Sequence, residues 1–160
     1  MLSRASTDIR IRFRHNLFLQ GCVVWLIALW TLLAISPNDR LDWIVENIPV
    51  FIFLWALVAT YRVFSFSDIS YLLMTIFLSL HTIGTHYSYS YVPFGCWLQE
   101  ILHFSRNHYD RIMHLLFGAL MIYPLNEIGT RLLNLKGAWA YYLPVECVMA
   151  FSAVYEVIEA

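Results

Sequence analysis

The run Leu17-Phe18-Leu19-Gln20-Gly21-Cys22-Val23-Val24-Trp25-Leu26-Ile27-Ala28-Leu29-Trp30-Thr31-Leu32-Leu33-Ala34-Ile35 decides the fold class. It sits between Arg14 and Asp39 with no charged residue in the interval. At about 1.5 Å rise per residue, a helix of this length crosses a hydrocarbon core of roughly 30 Å. A secretory signal would also place Arg10, Arg12 and Arg14 before an apolar run, but this run outlasts the usual h-region of roughly 7–15 residues. Ala34-Ile35-Ser36 is a weak cleavage site, so the segment reads as a retained first span. The whole composition agrees: 60% of the residues are hydrophobic, 13% are charged, and mean hydropathy is +0.62. A soluble domain of this length would expose too much apolar surface to stay dispersed.

Working outward gives an all-α polytopic transmembrane bundle, a single membrane domain over residues 1–160 with five spans at about 17–35, 44–63, 69–87, 109–125 and 138–160. Ser36-Pro37-Asn38-Asp39 ends the first span, and Pro49 falls in the opening turns of the second, where a missing N–H costs least. Arg4, Arg10, Arg12 and Arg14 place the amino terminus in the cytoplasm of a bacterial inner membrane by the positive-inside rule. Tryptophans and tyrosines fall towards span ends, as an interfacial belt requires. The Tyr87-Ser88-Tyr89-Ser90-Tyr91 alternation is too short for a sheet and reads as an interfacial connection. Net charge near zero implies no nucleic-acid partner, and Cys22, Cys96 and Cys147 lack metal or redox spacing.

Three spans each carry a pair of ionisable residues: His81 with His86, Asp110 with His114, and Glu156 with Glu159. The topology puts all of them in the outer half of the membrane, where polar groups are costly and mark functional sites. Asp110 and His114 share a helix face, as do Glu156 and Glu159. His81 and His86 are five apart, about 140° around a regular helix, and meet only if Gly84 permits a local distortion; depth favours His86.

Imidazoles with carboxylates suit a divalent metal (zinc, iron or manganese), with His81, His86, His114, Glu156 and Glu159 as candidate ligands. The same groups serve equally as general acid and base, with Asp110, His114 and Glu156 at the centre. Arg111 and Arg106 flank the set and suit a phosphate. The reading is a hydrolase or transferase acting on a lipid or lipid-linked phosphate in the outer leaflet. Two others stand beside it: a scaffold or partner subunit whose polar groups only join helices, and a small proton- or ion-coupled transporter, which the lack of an internal repeat disfavours. Membrane lipids are the expected surroundings; oligomeric state is not legible.

The run His81-Thr82-Ile83-Gly84-Thr85-His86-Tyr87-Ser88-Tyr89 followed by Val92-Pro93-Phe94-Gly95 resembles a bacterial family of inner-membrane proteins named after YjdF. So do Ser105 through His114 and the block Ser152-Ala153-Val154-Tyr155-Glu156-Val157-Ile158-Glu159. The resemblance implies a multi-pass membrane protein of unestablished activity, and a sixth hydrophobic segment after the Glu block. A more distant similarity to VanZ-like proteins covers Asp110, His114 and Glu156.

Overall fold

The computed structural model describes residues 13–159, with side chains through residue 157. Arg4, Arg10 and Arg12, on which the orientation rests, lie outside the described residues, as does the side chain of Glu159. A single 3-10 turn at Phe13–His15 leads into six helices: α1 Leu17–Leu33, α2 Arg40–Thr60, α3 Asp68–His86, α4 Pro93–Ile101, α5 Tyr109–Arg131 and α6 Trp139–Glu159. Each expected span is a helix, and the chain is all-α. Among the described residues there is no strand, and Tyr87–Tyr91 is a turn. By length and composition α2, α3 and α5 are long and apolar enough to cross a bilayer, while α1 is a shorter apolar helix.

Several boundaries depart from the sequence reading. Helix α2 begins at Arg40 because the Asp39 side chain accepts hydrogen bonds from Leu41 N at 2.8 Å and Asp42 N at 3.0 Å. Pro49 is therefore interior to the helix rather than in its opening turns, and Glu46 lies in the second turn. Helix α5 continues past position 125 through Pro124 to Arg131, since Glu127 and Arg131 both find partners. The connection after α3 contains the extra helix α4, which Pro93 opens at the position where its missing N–H has no helical partner to lose.

The central helix is α3. It packs against α1, α2 and α5, and α5 packs along α6. Leu19, Tyr71, Met74, Met121 and Val148 form the middle of the bundle, drawn from α1, α3, α5 and α6. A second cluster of Val92, Tyr109 and Met113 fills the end nearest α4, and Phe77 touches both.

Polar groups fix how the helices slide past one another. The buried Glu127 carboxylate on α5 accepts from Ser67 N at 2.9 Å and Ser67 Oγ at 3.0 Å, and also from Ser70 Oγ and Arg131. It thus caps the amino end of α3, where the helix dipole favours a negative charge. On α6, Pro144 has no N–H, so the carbonyl of Ala140 loses its helical donor. Asn126 Nδ2 of α5 supplies one at 2.5 Å.

The far end of α3 closes with a Schellman pattern: Ser88 N bonds Thr85 O at 3.4 Å and Tyr89 N bonds Gly84 O at 2.8 Å. Ser88 and Tyr89 both adopt positive φ, 50° and 48°, which folds the Tyr89 ring back over Gly84. A Cβ at position 84 would lie 2.7 Å from that ring, whereas one at Gly21 would meet nothing within 4 Å. Gly84→Ala is therefore expected to lower stability by about 1–3 kcal/mol. Gly21→Ala is expected to leave it equal or raise it by about 0.5–1 kcal/mol, the gain of removing a helical glycine. Unfolding of the two variants in mild detergent checks the contrast.

Candidate functional site

Helices α5 and α6 bring Asp110, His114 and Glu156 together. Asp110 and His114 stand one turn apart on α5, and Glu156 faces them from the last turns of α6. His114 Nε2 is 3.5 Å from Asp110 Oδ1 and 3.2 Å from Glu156 Oε1. One ligand atom from each residue lies within 4.8 Å of the others. The other ring nitrogen, Nδ1, is 2.8 Å from Ser152 Oγ, one turn before Glu156 on α6. The His114 side chain is 20% exposed, Asp110 46% and Glu156 64%, so the group is closed on the imidazole side and open on the carboxylate side. Asp110 occupies the first turn of α5, where the helix dipole stabilises an anion. Asn107 Oδ1 caps that turn by accepting from Tyr109 N at 2.8 Å.

The arrangement admits two proton positions on the imidazole. Nε2 is itself buried and makes no hydrogen bond, although two carboxylate oxygens stand close to it. With the proton on Nδ1, Ser152 accepts it and the Nε2 lone pair faces the two carboxylates, a geometry that suits a divalent cation between the three groups. With the proton on Nε2, that N–H points towards the carboxylates and the Ser152 hydroxyl donates to Nδ1. In either case Ser152 holds the direction of the ring.

The remaining candidates lie elsewhere. His81 is buried with its Nε2 3.3 Å from the Glu46 carbonyl and its Nδ1 2.6 Å from the Tyr89 hydroxyl, so both nitrogens are engaged between helices. His86 places Nδ1 2.7 Å from the carbonyl of Leu33 and ties α3 to the end of α1. Helix α3 is a continuous α-helix across Gly84, and these two rings diverge as a five-residue separation dictates. Neither joins the cluster. Arg106 and Arg111 are exposed, and His108 rests edge-on against Phe104 with ring centres 4.7 Å apart.

Sequence reading gave no role to Ser152, Tyr155 or Glu46. Ser152 and Glu156 repeat on α6 the four-residue spacing of Asp110 and His114 on α5, a signal that was available. The Tyr155 ring lies edge-on to His114 at 6.1 Å, and its hydroxyl donates to the Glu46 carboxylate.

Over residues 18–160 the sequence matches the family described as "Predicted membrane protein (DUF2238)". The chain belongs to this family. It is 36% identical over 135 residues to "Inner membrane protein YjdF" of Escherichia coli (strain K12). The alignment covers 84% of this chain and 64% of that protein, so the chain spans a little under two thirds of its relative's length. No solved structure matches. The resemblance drawn from the His81–Gly95, Ser105–His114 and Ser152–Glu159 blocks is borne out at the level of the family, and the protein is a multi-pass membrane protein.

His81 and His86 act as interhelical struts in this geometry. Tyr89→Phe, which removes the donor to His81, is expected to cost about 0.5–1.5 kcal/mol in detergent unfolding, as is His86→Ala.

Proposed function

We propose that this protein is a membrane-embedded hydrolase or transferase acting on a lipid or lipid-linked phosphate, with Asp110, His114 and Glu156 holding a divalent metal. The observation that carries the reading is the buried Nε2 of His114 aimed at two carboxylates from separate helices, with Nδ1 held by Ser152. One imidazole and two carboxylates suit zinc, iron or manganese and leave coordination positions for water and a substrate oxygen. A bound metal would lower the pKa of that water and polarise a phosphoryl oxygen. Arg111, exposed and next to Asp110 in sequence, would engage the phosphate charge. The site sits at the bundle end shared by α4 and by the 34–39 connection. With the arginine-rich amino terminus in the cytoplasm, that end faces the outer leaflet of the inner membrane. The Escherichia coli relative's designation as an inner membrane protein supports the location.

A scaffold function is favoured by one set of observations: His81, His86 and Glu127 all spend their polar groups on neighbouring helices. Elemental analysis of the protein in mild detergent separates the readings. The expected result is near-stoichiometric zinc, iron or manganese, lost in His114→Ala and reduced by about 10- to 100-fold in affinity in Asp110→Asn, with both variants folded and inserted. Absence of metal from the unsubstituted protein, together with poor insertion of both variants, would leave the scaffold reading.

A further inference from the structure

The triad uses α5 and α6 alone, yet a buried carboxylate from α2 reaches the same place. Glu46 is only 8% exposed, and its side chain accepts a hydrogen bond from Tyr155, the residue beside Glu156. A carboxylate inside a membrane bundle is costly, and an apolar residue would pack there without that cost. Tyr155 in turn presents its ring edge-on to His114, with centres 6.1 Å apart. Glu46 is braced from behind, because its backbone carbonyl lies 3.3 Å from His81 Nε2 and His81 Nδ1 takes the Tyr89 hydroxyl at 2.6 Å.

We infer that Glu46 is the positioning residue of the site: through the Tyr155 hydroxyl it pins the end of α6, and so holds Glu156 over His114. The geometry gives α6 two anchors near its end, Ser152 on His114 and Tyr155 on Glu46, one turn and one residue before Glu156. Glu156 is itself 64% exposed and needs such anchoring to keep its oxygen at 3.2 Å. The chain Tyr89–His81–Glu46–Tyr155 therefore carries the rigidity of the α3 end across to a carboxylate on α6. The metal part of this inference rests on the reading under Proposed function; the anchoring part does not.

Two measurements test it on the full chain in mild detergent. The first is zinc affinity. The second is the mobility of a spin label on Val157→Cys, an exposed position beside Glu156, with Cys22, Cys96 and Cys147 replaced. Glu46→Leu and Tyr155→Phe are expected to weaken zinc binding about 10- to 100-fold and to free the label. Glu46→Gln, whose amide oxygen still accepts the Tyr155 hydroxyl, is expected to keep both near the unsubstituted protein. A label as immobile in Glu46→Leu as in the unsubstituted chain would overturn the inference, and so would Glu46→Gln failing as badly as Glu46→Leu. If the unsubstituted protein binds no zinc but Glu46→Leu still frees the label, the metal reading falls while Glu46 stands as the anchor of α6. Should Glu46→Leu fail to insert, Tyr155→Phe decides alone, since it removes one hydroxyl and leaves Glu46 in place.

Discussion

Glu127 on the amino end of α3 is the contact from which the rest of the bundle takes its register. A carboxylate buried in protein must find its hydrogen-bond partners there, and here Ser67, Ser70 and Arg131 supply them. Hydrophobic faces alone allow two helices to slide, because lipid tails are as apolar as a neighbouring leucine. Four donors converging on one carboxylate do not. At the other end of the same helix pair, Tyr109 of α5 donates to the Leu80 carbonyl of α3 at 2.8 Å. Two polar contacts at opposite ends fix the axial position of α5, and Asp110 and His114 go where α5 goes.

The same logic repeats one helix further out. Asn126 answers the Ala140 carbonyl that Pro144 leaves without a donor, and Ser152 meets His114 some three turns on. These set α6 against α5 closely enough for Glu156 to face His114. Pro144 thus has a consequence beyond its own helix: it creates an acceptor that only a neighbour can satisfy. The candidate site depends on a relay of such contacts from α3 to α5 to α6, and Glu46 on α2 closes it on the fourth side.

The meeting of Asp110, His114 and Glu156 was legible in the sequence because helical spacing and topology suffice for it. Four residues along a helix put two side chains on one face, and a count of spans puts Glu156 at the same end. His81 and His86 share that end as well, yet they do not share the site, because depth says nothing about direction. Their rings point to Glu46 and to Leu33 respectively, and those directions follow from which helices flank α3. Glu46 gave no comparable signal, because its partner Tyr155 lies 109 residues away along the chain.

By itself the sequence determined the all-α class, the apolar spans, the family and the end of the bundle where ionisable groups gather. Apolar length and i, i+4 spacing are one-dimensional properties, and a chain carries them without folding. Tertiary structure alone decided which of those groups meet. That depends on rotation of each helix about its own axis and on its axial register, and both are set by contacts between residues as far apart as Glu46 and Tyr155, which no local pattern records.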